Sequence, residues 1–185
     1  MNVRLGRQSD DAGLMRMMSQ IVMPGSTSIS YSYEGSFIRA LEAEGYDQRT
    51  LVGERSGVIV AAGSVTKRKV FLQGRPVEVG YLASLRIAPE ARGSLLLARG
   101  YRLLGELQQS ELQLPLYLTS IMRNNVAALR LLTSGRAGLP HYRLVGGYKT
   151  AVIPIFRNYP RPKGYSFLGG EAAGIDPIFD CLEQC

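Results

Sequence analysis

The chain predicts an α/β (α+β) fold, a mixed and mostly antiparallel central sheet flanked by helices. Two observations carry that expectation. From Val77 to Ile87 the apolar residues Val77, Val79, Tyr81, Ala83, Leu85 and Ile87 fall at every second position, the period of a strand. After a turn, Leu96, Leu103, Leu104 and Leu107 recur at helical spacing. Upstream, short alternating runs separated by Arg55-Ser56-Gly57 and Gln73-Gly74 read as an antiparallel meander, because these turns place Gly where positive φ is cheap.

The elements follow in order. Val3 to Arg7 is a short opening strand, and Ser9-Asp10-Asp11 supplies the cap and acidic first turn of a helix reaching about Ile21. Met15, Met17, Met18 and Met23 crowd this helix and its end, a methionine-rich face that reads as core filler. Pro24-Gly25 breaks it, and a second helix is expected from about Gly35 to Glu44. Strands follow at Thr50–Glu54, Val58–Thr66, Lys69–Leu72 and from Arg75 onward. Leu116–Ile121 is the next strand, introduced by Pro115, and a helix begins after Asn125. His141–Val145 and Tyr148–Ile155 read as a closing hairpin turned by Gly146-Gly147, whose exposed edge would offer a surface for homodimer pairing. The expected division is a domain over 1–155 and a linker and tail over 156–185, the tail docking on the body or beginning a further segment.

Composition narrows the function classes. A chain of 185 residues with 45% hydrophobic content is long enough to bury a proper core. No apolar run approaches the 18 residues of a membrane span and no leader is evident, so a cytoplasmic location is expected. Cys181 and Cys185 are too few to staple the fold, and a metal would need two further ligands where His141 is the only histidine, so no metal site is expected. The net charge of +7 suits an anionic ligand. The charge alone would suit nucleic acid equally, but the basic residues are scattered, only Lys67-Arg68-Lys69 forms a compact cluster and no recognised DNA or RNA motif accompanies them, so nucleic acid is not the expected partner.

The turn after the long strand is the chemically informative stretch. Pro89 stops the strand, Arg92-Gly93-Ser94 bends the chain, and Ser94 is placed to cap the following helix. The first N–H groups of a helix lack carbonyl partners, so a helix start with a cation beside it is a seat for phosphate or pyrophosphate. An ordinary strand-to-helix crossover would look the same.

Leu85-Arg86-Ile87-Ala88-Pro89-Glu90-Ala91-Arg92-Gly93 resembles the acyl-coenzyme A signature of the GNAT superfamily of N-acetyltransferases, and Asn125-Val126-Ala127-Ala128 resembles that family's Asn-x-x-Ala helix. The two matches have the family's order and separation, and the strand order agrees over about residues 3 to 155. The resemblance implies a GNAT-like sheet and acetyl-CoA or another acyl-CoA as donor. It implies a cofactor seat made by Leu85, Arg86, Ile87, Arg92, Gly93, Ser94, Leu95, Leu96, Leu97 and Asn125. The chain departs from the pattern in carrying Leu95 and Leu97 where the family has glycines. These leucines either turn inward and leave the N–H groups free or narrow the seat.

Acyl transfer from a thioester to an amine also needs a base, an oxyanion site and a proton for the thiolate. By resemblance the oxyanion is held by backbone N–H groups where the strand near Leu85 to Ile87 splays from its neighbour. Glu78 is the candidate base, fourteen positions before Arg92; alternation places it on one side with Gly80, Leu82 and Ser84, small residues among them leaving room for a ligand. The family's tyrosine acid would fall at Leu132, so Tyr142 or Tyr148 is the candidate acid, ahead of His141. Tyr31 and Tyr33 are candidates for contact with the acceptor, an amine-bearing small molecule or a protein or peptide amine. The alternative is a GNAT-fold module that binds CoA, another anionic ligand or a protein partner without catalysis.

Overall fold

The computed structural model describes residues 1–21, 33, 35–135, 139–150, 163–164, 166, 174, 176–177 and 180. In chain order it forms β1 (Asn2–Leu5), α1 (Asp11–Gln20), α2 (Phe37–Glu42), β2 (Tyr46–Arg55), β3 (Val58–Leu72), β4 (Arg75–Ile87), α3 (Leu96–Leu107), β5 (Tyr117–Thr119) and α4 (Val126–Leu132). Two compact units are distinguished. One comprises Met1–Val70 with Pro76–Arg143, and the other Phe71–Arg75 with Leu144–Cys185. In the second unit Leu144, Val145 and Tyr148 are exposed. No helix among the described residues is long and apolar enough to cross a membrane.

The sheet has the order β1-β2-β3-β4-β5, with β1–β2 and β2–β3 antiparallel and β4–β5 parallel. The predicted meander forms because both two-residue turns take positive φ at both central positions, Ser56 and Gly57 before β3 and Gln73 and Gly74 before β4. That handedness matches the twist of the strands it joins. One boundary is corrected: Val58–Thr66 and Lys69–Leu72 are a single continuous strand, β3. Lys67 and Arg68, which looked like a break, keep the ladder and send their side chains to opposite faces. Lys67 reaches Asp47 at 2.9 Å and Arg68 reaches Glu44 at 3.5 Å, so the basic triplet is not a single cationic patch.

A larger correction concerns β4. Its alternation is not continuous, because Ser84 has φ of +56°, a bulge that reverses the facing of every later residue. Before it, Gly80 lies against Leu114 and the Tyr117 ring, and Leu82 packs in the cluster with Leu107 and Leu112. After it, Leu85 lies over Gly63, and Ile87 packs with Leu96. Leu82 and Ile87 differ in parity yet both face α3.

The core has two sides. On one, Leu14, Met17 and Met18 of α1 and Phe37 and Leu41 of α2 pack on Val52 and Ala62, so the methionine-rich face is core. On the other, α3 lies over Val60, Ala61 and Val65 through Leu96 and Leu107. Arg4 ties the opening strand to both neighbours, with a two-point pairing to Asp10 at 2.7 and 2.9 Å and a contact with Glu54 at 3.0 Å.

The predicted closing hairpin is not found among the described residues. Residues 141–150 form no strand, and the remainder of its second arm, 151–155, lies outside them, as do Cys181, Cys185 and most of the tail. Alternation and a Gly-Gly turn are local signals, whereas a strand exists only where a ladder partner accepts it. The dimer edge expected of that hairpin is likewise not found among the described residues. The strand expected over Leu116–Ile121 is confined to Tyr117–Thr119, and the second helix to Phe37–Glu42, capped by Ser36 Oγ accepting from Arg39 N at 3.1 Å.

Two stability predictions follow from this packing. A Cβ on Gly80 would overlap the Tyr117 ring, so Gly80→Ala is expected to cost about 1–3 kcal/mol, read from the urea midpoint. The Arg4 hydrogen bonds hold the Asp10 carboxyl down at about 2, below its unfolded value near 3.9. Its contribution is therefore full above pH 4 and lost as pH falls from about 4 to 2. Asp10→Asn is expected to cost about 1–2 kcal/mol at pH 7 and to flatten that acid limb in a pH series of unfolding curves.

Candidate functional site

The β4–β5 ladder is short. It pairs only Gly80–Leu82 with Tyr117–Thr119, and its last carbonyl, that of Leu82, is met by the Thr119 hydroxyl at 2.9 Å. Beyond that point β5 ends and β4 runs on to Ile87, so the two part. Gly80 N donates to Leu116 O on the β5 side, whereas after the bulge Ala88 N donates to Val60 O on the β3 side. Main-chain groups alternate in direction along a strand, so the N–H groups of Leu85 and Ile87 face the opening with no β5 ladder partner. Their carbonyls are covered by arginines: Arg86 donates to Leu85 O at 2.9 Å, and Arg92 to Ile87 O at 3.3 Å. A row of donors with guanidinium groups at its lip is an environment for an anion or a developing oxyanion.

The strand then enters a short 3-10 turn, Pro89–Ala91, and reaches α3 through Gly93. Gly93 takes φ of +76°, and the side where a Cβ would stand is open space, so only glycine suits the backbone here and the backbone is approachable. Ser94 is not the cap. The helix starts one residue later, with Leu95 as N-cap, and the Ser94 hydroxyl turns back to Ala91 O at 2.6 Å while accepting from Leu96 N at only 3.5 Å. The first intrahelical bond is Arg99 N to Leu95 O, which leaves the N–H groups of Leu96, Leu97 and Ala98 without a helical carbonyl.

The leucines at the family's glycine positions take separate paths. Leu95 is 67% exposed and points into an open groove of about 630 Å³ lined also by Val3, Ala98, Arg99 and Arg102. Leu96 is buried against Ala61 and Ala91, and Leu97 is half-buried. An acyl-CoA fits the residues present to this extent: the helix-start donors, the Arg92 guanidinium and the splayed strand lie consecutively along one stretch of chain.

The remaining candidates are dispersed. Glu78 is exposed and accepts a hydrogen bond from Tyr46 Oη, a partner thirty-two residues away that sequence reasoning missed. That bond pushes the Tyr46 phenol up to about 12. Glu78 shares the α3 face with Gly80 and Leu82, as alternation predicted, but Ser84 begins the reversal, and the space over Gly80 is filled by Tyr117 rather than left for a ligand. Asn125 caps α4, its Oδ1 accepting from Ala128 N at 3.2 Å. Tyr142 meets Tyr101 of α3 hydroxyl to hydroxyl at 2.6 Å, and burial raises the pKa of both phenols. Tyr148 and His141 are exposed. Tyr33 stacks edge-on against Phe37 at 5.0 Å, on the α1–α2 side, while Tyr31 lies outside the described residues.

No protein-family description matches the sequence, and no curated protein matches it. Solved structures do. Glucosamine-6-phosphate N-acetyltransferase from Arabidopsis thaliana is similar at 20% identity and a TM-score of 0.53, over 81% of this chain and 98% of that one. The aminoglycoside 6'-N-acetyltransferase AAC(6')-IG from Acinetobacter haemolyticus is similar at 15% identity and 0.53, over 82% and 100%. AAC(6')-Iy, solved with the bisubstrate analog CoA-S-monomethyl-acetylneamine, is similar at 12% identity and 0.55, over 82% and 98%. With the splayed β4–β5 pair and the strand-turn-helix unit in place, these likenesses establish that the chain has the GNAT fold.

Proposed function

We propose that this protein transfers an acyl group from an acyl-CoA, acetyl-CoA in the first instance, to an amine by direct attack. The observation that supports this reading most is the pair of donor groups on one stretch of chain, the splayed N–H groups of Leu85 and Ile87 and the first turn of α3, with the Arg92 side chain between them. Arg92 and the N–H groups of Leu96 to Ala98 bind the pyrophosphate. The N–H of Leu85 or Ile87 polarises the thioester carbonyl. Glu78, held by Tyr46, is the candidate base, and across the roughly 23 Å of strand between it and Leu85 the amine's proton reaches it through an extended chain of water. Tyr142, whose phenol stays protonated, is the proton donor for the thiolate. Two of the similar structures are named for acetyl transfer to glucosamine-6-phosphate and to an aminoglycoside, both amine-bearing, which is consistent with a small-molecule acceptor here.

A second reading, binding without catalysis, draws on one feature. Leu132, buried at the end of α4, stands where the family's tyrosine acid would be.

Titration of acetyl-CoA by calorimetry separates the two readings from an unrelated fold user. Binding in the micromolar range, about −8 kcal/mol, is expected, weakened at least tenfold by Arg92→Ala. Absence of binding would remove both CoA-dependent readings. Glu78→Gln is expected to lower kcat about 100-fold with acetyl-CoA affinity unchanged. Unaltered turnover would take Glu78 out of the mechanism.

A further inference from the structure

Tyr101 and Gln108 stand seven positions apart and share one flank of α3. Gln108 bonds the Tyr117 hydroxyl of β5 and both main-chain groups of Leu114, which turns that flank toward β5. Arg99 lies on the other flank and reaches Met1 O at 2.6 Å beside β1. Tyr101 is therefore on the side where β4 and β5 part. It comes one turn after Leu97, whose N–H is among the donors of the helix start without a helical carbonyl. Helical side chains lean back toward the N-terminus, so the phenol lies over the turn that carries those donors.

There Tyr101 meets Tyr142. Their hydroxyls are 2.6 Å apart, and the rings pack edge to face with centroids 6.4 Å apart at 84°. Tyr142 belongs to no strand or helix, so its own backbone does not fix the ring, whereas Tyr101 sits in a helix anchored in the core through Leu96 and Leu107. The helix holds Tyr101, and Tyr101 holds Tyr142. Both are half-buried, which leaves part of each open to solvent.

A phenol is a poor acid toward a thiolate. Its ordinary pKa of about 10 lies above the value of about 8.5 for a thiol, so the transfer runs uphill. Burial pushes the Tyr142 phenol further up, and the hydrogen bond from Tyr101 pulls it back. Among the described residues, no other titratable group contributes to either phenol's shift. Once Tyr142 has given up its proton, Tyr101 donates to a charged oxygen, a bond about twice as strong as one between neutral groups.

We infer that Tyr101 is a positioning residue for the return of a proton to the thiolate, fixing the Tyr142 ring on the β5 flank of α3 and stabilising the phenolate left when Tyr142 acts. This role rests on the acyl-transfer reading and deepens it, because α3 then supplies what Leu132 of α4 cannot. In the step, the Tyr142 O–H bond breaks and an S–H bond forms on coenzyme A. The electron pair left on Tyr142 Oη accepts the Tyr101 hydrogen bond until solvent returns a proton. Tyr101 stays neutral throughout, its phenol raised by burial and by its bond to Tyr142.

The test uses the full chain with coenzyme A itself and needs no acceptor. Thiolate absorbance across a pH series, read against the cofactor-free chain, gives the acid dissociation constant of the bound thiol. The bound thiol is expected to ionise more readily than free coenzyme A, because Tyr142 donates to the thiolate. Tyr142→Phe is expected to lower that constant about tenfold, and Tyr101→Phe, which keeps the edge-to-face ring, about threefold. Coenzyme A affinity is expected to be unchanged in both. The double variant is expected to match Tyr142→Phe alone, since Tyr101 acts through Tyr142. A tie that serves the fold alone would lower the melting temperature and leave the thiol unmoved. Tyr101→Leu is the second variant should the phenylalanine destabilise the chain, with the same change expected. An unaltered constant in Tyr142→Phe or in the Tyr101 variants, or a double variant that adds the two losses, would overturn the role. Failure of the unsubstituted chain to bind coenzyme A is a different result, which removes the acyl-transfer reading and this role with it.

Discussion

The positive φ of Ser84 is the constraint on which the site depends. β4 must pack two apolar clusters against α3, one through Leu82 and one through Ile87, and residues five apart cannot share a face on an unbroken strand. The bulge resolves the conflict at a backbone cost of about 1–3 kcal/mol, offset by the packing it permits. It also decides which N–H groups turn toward β5. Because β5 stops at Thr119, those of Leu85 and Ile87 open onto the splay. Core packing and the donor row thus have one geometric origin.

Charge is distributed in keeping with that geometry. Arg86 and Arg92 each clasp a carbonyl of the strand that carries the donors, which cancels the negative end of each peptide dipole at the opening. Arg4 works elsewhere, joining β1 to the start of α1 and to β2. Lys67 and Arg68 adjoin in sequence yet serve opposite faces, one pairing with Asp47 and the other with Glu44 and Tyr81. A positive net charge in this protein therefore reflects several separate tasks rather than one basic surface.

The two faces of the sheet differ in how completely their polar atoms are satisfied. On the α3 face the polar groups near Tyr117 are joined, with Gln108 bonding Tyr117, Leu114 N and Leu114 O. On the α1–α2 face, the buried hydroxyls of Ser64 and Thr66 have no hydrogen-bond partner. Stability alone favours filling such positions with apolar side chains.

By itself the sequence determined the local features: the strand-turn-helix around Pro89 and Gly93, the two tight hairpins, the methionine-rich core helix and the Asn125 cap. Each follows from the conformational preference of residues a few positions apart, so it can be read without the fold. Only the tertiary structure decided the reversal at Ser84, since two distant clusters impose it and nothing near Ser84 announces it. The same holds for the Tyr46–Glu78 and Tyr101–Tyr142 pairs and for the meeting of Glu44, Arg68 and Tyr81. It holds in reverse for the expected hairpin at 141–155, where alternation was present but no ladder partner met residues 141–150. Contacts and ladders between residues tens of positions apart depend on register and facing, and those are properties of the assembled sheet.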